Sequence, residues 1–407
     1  MILSKLLDSQ EGVSLSTLKM VRLKKSVIKN LTLEGKATIA ELCKETEFST
    51  PTVTKVIAEL IEDGIIFEKG KIDTAGGRRP SIYGINPNSA FFLGVEVKRD
   101  YISLGLQNFN NEFIKISTRL AYTLENTRES LYVLCDIVSK FIEESGINRK
   151  KILGACFAFT GRINSKKGYS NSYFFFEDEP LNKIIESRIK IKTFIENDSR
   201  AMAYGEYCCG AGNGEKDVVY VNLSWGFGVG LICNGELFYG KSGYSGEFGH
   251  SPVINNQIIC QCGKKGCLET EISGQALVRR FKEKLKAGST SMLTRTLEPE
   301  DISMYDIINA AVQYEDLLAI EVVEEIGEKL GRYLSQLINF FNPELVILGG
   351  DFAAAGSYLK LPVKTSLHKY SLNIVLQDIT LKMAELGDKA GIMGTCYILR
   401  DRLLKMV

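Results

Sequence analysis

Apolar positions early in the chain recur at helical spacing. Leu23, Val27 and Leu31 fall on one face of a first helix. A second helix opens at Thr38-Ile39-Ala40-Glu41, which has the Ser/Thr-x-x-Glu form of a capping box. Glu47-Phe48-Ser49 makes a turn. A third helix then begins with Thr50 as its expected N-cap and Pro51 at its first helical position. Val53, Val56, Ile57 and Leu60 form its buried stripe, which leaves Thr52, Thr54 and Lys55 facing outward. Gly64 stops it. Two short β runs follow at 65–68 and 81–83, separated by Lys69-Gly70-Lys71 and Gly76-Gly77-Arg78-Arg79-Pro80.

Three helices and a basic ribbon predict a winged helix-turn-helix over residues 1–86. Its third helix would enter the major groove of DNA with Ser49, Thr50, Thr52, Thr54 and Lys55. Arg78 and Arg79, beside two glycines that let backbone approach a duplex, suit an A·T-rich minor groove. A plain three-helix packing module would share the apolar spacing but has no use for such a wing. The lysines between Lys19 and Lys36 fit either a solvated face or phosphate contact.

From Phe91 the period shortens. Strands are expected at 93–97, 101–106 and 113–120, then a helix at 130–144 and a strand at 152–159. A second round starts near Asp217, with strands at 218–223 and 228–233, long helices around 320–341 and a buried strand at 345–350. Two successive strand–hairpin–helix rounds predict a duplicated α/β body whose lobes flank a ligand cleft. We place the first lobe at 87–200, the second at 201–383 and a C-terminal helix at 384–407 that packs back on the body.

Composition narrows the options. The 407 residues are 45% apolar and 24% charged, with a formal net charge of +1. A near-neutral chain offers no global attraction for nucleic acid, so any DNA-binding face is local. The start lacks a signal-peptide pattern and no apolar run spans a bilayer, which makes the cytoplasm the expected location.

Chemistry concentrates in residues 259–269, ICQCGKKGCLE, where Cys260, Cys262 and Cys267 are spaced C-x-C-x4-C. The other seven cysteines are scattered. In a reducing compartment such a cluster reads as metal ligands rather than disulfides. His250 completes a set suited to tetrahedral zinc, and four protein ligands make the ion structural. Free surface thiols are the alternative. Glu247 and Glu269 flank the set, so a metal clasp would hold both carboxylates rigid. A carboxylate can accept hydrogen bonds from adjacent sugar hydroxyls.

The segments Glu247-Phe248-Gly249-His250 and Cys260-Gln261-Cys262-Gly263-Lys264-Lys265-Gly266-Cys267-Leu268-Glu269 resemble the signature of the ROK family, which groups sugar-responsive repressors, open reading frames and sugar kinases. Glu196-Asn197-Asp198 resembles its sugar-binding triplet, and the winged head with Gly-Gly-Arg-Arg-Pro resembles its repressor branch. The resemblance implies an actin-like (ribonuclease H-like) two-lobed body, a bound sugar and homo-oligomers. It further implies sugar contacts from Asn197, Asp198, Glu247, His250 and Glu269, with Asn171 as an added lining residue. Asn197 or Asp198 could instead simply cap a helix.

Asp198 stands where a kinase of the family has its general base. The phosphate cradle is another matter. Kinases carry an Asp-x-Gly-x-Thr type loop, where this chain has Glu96-Val97-Lys98-Arg99-Asp100, and Lys98 and Arg99 are expected as flexible charges. Ser224-Trp225-Gly226-Phe227-Gly228-Val229-Gly230 keeps three glycines but puts Trp225 where threonine is usual. Gly349-Gly350-Asp351 resembles the adenosine-side turn. The expectation is a regulator without enzyme activity: a dimeric repressor of operator DNA, released by a sugar. The alternatives are an ATP-dependent sugar kinase with a DNA-binding head, and an architectural DNA-binding protein.

Overall fold

The computed structural model describes residues 15–71, 80–176 and 178–404. The chain divides into two compact units. One comprises residues 1–159, 167–196 and 395–407, and the other residues 160–166 and 197–394.

The first unit begins with the head. Helices Leu15–Glu34, Ile39–Thr46 and Thr50–Glu62 surround a small core of Leu23, Val27, Leu31, Leu42, Val53, Val56, Ile57 and Leu60, each at most 2% exposed. The capping box forms as the sequence requires. The Thr38 backbone N–H donates to Glu41 Oε2 (2.7 Å) and the Glu41 N–H donates to Thr38 Oγ1 (3.3 Å). Two expectations change. Ser49, not Thr50, is the N-cap of the third helix. Proline tolerates this because N–H groups throughout the first turn lack intrahelical acceptors anyway. The wing is also a three-stranded sheet: Ala37–Thr38 pairs with Ser81–Ile85, which pairs in turn with Ile66–Lys71. Arg78 and Arg79 lie outside the described residues.

After the head in sequence, a five-stranded sheet runs in the order Thr193–Asn197, Ile152–Phe159, Phe91–Val97, Tyr101–Asn108, Phe113–Ala121. The last three form an antiparallel meander, and Ile152–Phe159 joins Phe91–Val97 in parallel. The second unit repeats the plan. Its sheet order is Glu236–Leu237, Phe227–Cys233, Val218–Leu223, Leu345–Gly349, Thr380–Met383, antiparallel through the first three and parallel thereafter. Two meanders extended by parallel strands are the duplicated actin-like plan. Strands of the parallel portion are apolar throughout because both faces are buried, as in Leu345–Gly349.

The seam between units falls after Glu196 rather than at 200. Helix Asp198–Cys209 packs on strands Val218–Leu223 and Phe227–Cys233, so its first residues belong with the second unit. The last helix, Ala390–Leu404, is divided at residue 394. Among the described residues, no helix is long and apolar enough to cross a membrane.

Candidate functional site

The second unit carries nearly all of the expected ligand residues. Asn197 is the N-cap of helix Asp198–Cys209, its Oδ1 accepting from the Arg200 N–H (3.0 Å). Its Nδ2 donates to the Gly161 carbonyl (2.9 Å) and to Asp198 Oδ1 (3.1 Å). The capping role left open by the sequence is therefore filled, and the same amide aims Asp198. Asp198 is 6% exposed, and its Oδ1 also accepts from the Ser199 N–H (2.8 Å). Glu196 parts company with the other two: it is fully buried in the first unit, where Arg402 donates to its Oε2. Asn171 also lies in the first unit.

Glu247–His250 is a single 3-10 turn. It follows Gly246 at φ +85°, where a Cβ would run into the Val229 carbonyl, so only glycine lets the turn dock on the strand. The turn sets Glu247 Oε2 3.5 Å from His250 Nε2. The other imidazole nitrogen, Nδ1, is 3.5 Å from Cys260 Sγ and 3.8 Å from Glu269 Oε2. Burial raises the Glu247 carboxyl pKa, while His250, Arg162 and Arg200 pull against that rise.

Cys260, Cys262 and Cys267 close around this imidazole. One donor atom from each of the four residues lies within 4.8 Å of all the others. Tetrahedral zinc with sulfur ligands calls for donor separations of about 3.8 Å, and Cys262 Sγ to Cys267 Sγ is 3.5 Å. The thiols are electrostatically unequal. Burial, then Glu269, drives Cys260 well above the usual thiol range, and burial with the Cys262 sulfur raises Cys267. Cys262 is lowered, because hydrogen bonding from Lys264, Cys267 and Cys260 outweighs its burial. Three sulfurs and one imidazole, crowded beside a carboxylate, form a donor set that fits a divalent cation and is poorly satisfied by protons alone.

Glu269 opens the short helix Glu269–Ile272 immediately beyond the cysteine loop. Its Oε1 accepts the Phe227 N–H (3.0 Å) and its Oε2 lies 3.3 Å from Cys260 Sγ. Two residues on, the buried Glu271 accepts from Arg280 and Lys329 (both 2.6 Å), Arg279 (3.1 Å) and Asn256 (3.1 Å). These bonds moor the cysteine loop to helices Gly274–Lys286 and Leu317–Phe341. The apolar spacing of 269–272 carried no hint of this anchor.

In the segments that resemble a nucleotide site, several residues serve packing. Lys98 is 7% exposed with Nζ 3.4 Å from Glu96 Oε1, so it is a buried ion-pair partner and not a flexible charge. A Cβ at Gly226 would meet Glu269, at Gly228 the Ser199 hydroxyl and at Gly230 Ala203. At Gly349 it would strike the Tyr220 ring. Each glycine thus admits a neighbouring side chain.

In the head, Ser49, Thr50, Thr54 and Lys55 are exposed along the start of the third helix, and Thr52 is half-buried with its hydroxyl 2.9 Å from that of Ser49. Lys24 pairs with Glu59 (2.6 Å) and ties this helix to the first. The polar row is therefore presented on a braced helix.

Residues 92–402 match the model of the ROK family, and residues 20–66 match a winged helix-turn-helix DNA-binding model. A putative xylose repressor of Caldicellulosiruptor sp. is 28% identical over 89% of this chain and 92% of its own length. The xylose repressor of Bacillus subtilis is 27% identical over 94% of this chain and 96% of its own. The DNA-binding transcriptional dual regulator NagC of Escherichia coli is 26% identical over 89% and 88%. Among solved structures, a ROK family transcriptional regulator, homologous to the E. coli MLC protein, aligns with TM-score 0.78 and 26% identity over 96% of this chain and 98% of that one. A ROK family glucokinase from Streptomyces griseus, in complex with glucose and AMPPNP, aligns with TM-score 0.67 and 26% identity over 77% of this chain and all of its own.

Proposed function

The chain belongs to the ROK family, and from that premise we propose that it is a sugar-responsive transcriptional repressor. The observation that carries the reading is the joining, in one chain, of a braced helix-turn-helix to a unit that sets Glu247, His250 and Glu269 about a metal-donor cluster and also carries the buried Asp198. In this reading a structural zinc ion is held by His250, Cys260, Cys262 and Cys267. It would fix the imidazole through Nδ1, leaving Nε2 and the flanking carboxylates to bind hydroxyls. Asn197 would hold Asp198 against the same sugar, with Asn171 as a further contact. Ser49, Thr50, Thr52, Thr54 and Lys55 would meet operator DNA, with Arg78 and Arg79 as wing contacts. A homodimer in the cytoplasm would place two heads on a pseudo-palindrome. Names among the relatives favour a repressor: two are xylose repressors, one of them putative, beside the dual regulator NagC.

Phosphoryl transfer is the second reading, favoured by the likeness to a glucokinase. Against it stand the Lys98–Glu96 pair, where phosphate-cradling backbone would be needed, and the glycines committed to Ser199, Ala203 and Tyr220. We take the protein to be a regulator without this activity.

The test is an anisotropy titration of the protein on its own upstream DNA with D-xylose, D-glucose, N-acetylglucosamine and their phosphates. One of these should weaken DNA binding at least about tenfold, the scale of typical allosteric coupling. A response to none defeats the sensor reading. Robust ADP release with any of the sugars and ATP would establish the kinase instead.

A further inference from the structure

Arg200 is the bulkiest of the closed-off side chains among the described residues, at 2% exposure. An arginine in that position is costly unless its donors are met. Its Nη1 donates to the Gly243 carbonyl (2.8 Å) and its Nη2 to the Ile163 carbonyl (3.2 Å). Its guanidinium carbon lies 5.4 Å from the centre of the Tyr239 ring. The two carbonyls lie on separate stretches of chain. Ile163 sits in segment 160–166, which also receives the Asn197 amide at Gly161. Gly243 sits four residues before Glu247. The arginine itself stands two residues after Asp198.

We propose that Arg200 is a positioning residue for the effector site, its guanidinium fixing the separation between Asp198 and Glu247 by tying segment 160–166 and the 239–246 loop to the start of helix Asp198–Cys209. This rests on the sugar-sensor reading of the same site. A guanidinium suits the task because it is a rigid, planar fork that serves two acceptors in different directions. Lysine would bring the charge as a point on a flexible stem, with all its donors on one nitrogen and no fixed fork to set their directions. Nothing in the sequence marks the role, since arginines are seldom buried.

Two measurements on the full-length, metal-loaded chain test this. The first is hydrogen exchange of ligand-free Arg200→Lys. Amides in 160–166 and in 239–247 should both exchange at least about tenfold faster than in the wild type, with strand Val218–Leu223 and the cysteine loop unchanged. If either segment keeps its wild-type protection, the inference falls. This arm needs no sugar, so it decides the tethering even if the sensor reading fails.

The second measurement is a double-mutant cycle on affinity for whichever of D-xylose, D-glucose or N-acetylglucosamine binds the wild type. Arg200→Lys should weaken binding about tenfold or more. Combined with Glu247→Gln, it should cost no more than about twofold beyond Glu247→Gln alone, since a misplaced acid and a missing one are the same loss. Fully additive losses would overturn the inference. Arg200→Gln, which removes the buried charge and keeps one short donor, takes the place of the lysine variant should that not fold, with the same expected pattern. A wild-type protein that binds none of the three sugars counts against the sensor reading alone.

Discussion

Glu247 and His250 sit three residues apart on one tight turn, with a carboxylate oxygen of the first 3.5 Å from Nε2 of the second. The opposite ring nitrogen faces sulfur. One imidazole therefore joins a metal-donor cluster to an acid suited to hydroxyls. Its tautomer is set by whatever lies on its δ side.

If zinc and sugar bind as proposed, that arrangement predicts that the two depend on one another. Purified protein should contain about one zinc per chain by elemental analysis. Cys262→Ser, or removal of the ion by a strong chelator, should weaken sugar affinity about tenfold or more, in line with losses seen when a metal site's support is removed. Operator affinity should change far less. Calorimetry showing the same sugar affinity with and without metal would refute the dependence.

Glu247→Ala should abolish the sugar response. Loss of a charged hydrogen-bonding partner amounts to about 1.5–3 kcal/mol, or roughly 10- to 150-fold in affinity. The head and Glu247 belong to different compact units, so DNA affinity without sugar should stay within about twofold. A loss of both functions together would indicate misfolding rather than a lost contact, and a thermal melt separates the two.

Lys55 is exposed at the start of the third helix. Lys55→Ala should weaken DNA binding and reduce the slope of log affinity against log salt by about 1, the signature of one released counterion. Thr54→Ala, in contrast, should leave the salt slope alone and lower discrimination between operator and random DNA. An unaltered slope in the lysine variant would remove Lys55 from the phosphate-contacting set.

Glu271 is held at a pKa of about 2, because bonds and charges from Lys329 and Arg280 overcome the effect of burial. A carboxyl whose folded value lies below its unfolded one stabilises above the unfolded value, and that contribution is lost as pH falls from about 4.5 towards 2. The cations are partly exposed, so the contribution is about 2 kcal/mol rather than the full shift. Glu271→Gln should lower the melting temperature at pH 7 and flatten its dependence on pH between about 4.5 and 2.5. If the melting curves of variant and wild type keep the same offset across that window, the anchor is not ionic.

Much of this molecule could be read from its residues. Thr38 and Glu41 announce a capping box because the reciprocal bonds need only local spacing. The run Leu345–Gly349 announces a buried strand because both its faces are apolar. The cysteine spacing with His250 foretold the donor cluster, since short loops leave those side chains few other places to go. What escaped depends on distant partners. Ala37–Thr38 is too short to show a period and becomes a strand only by pairing with Ser81–Ile85. Lys98 looks like a surface charge until Glu96 is seen buried beside it. Arg200 and Glu271 have their meaning from carbonyls and cations far along the chain.

The glycines at 228 and 230 bear on how this lineage should be compared with its catalytic cousins. Their missing side chains make room for Ser199 and Ala203. Such positions are expected to drift in concert, a bulkier residue at one demanding a smaller residue at its mate. The presence of the glycines in this chain is then not by itself a sign of phosphate chemistry. It is the continuing requirement of a helix that must lie close against a strand.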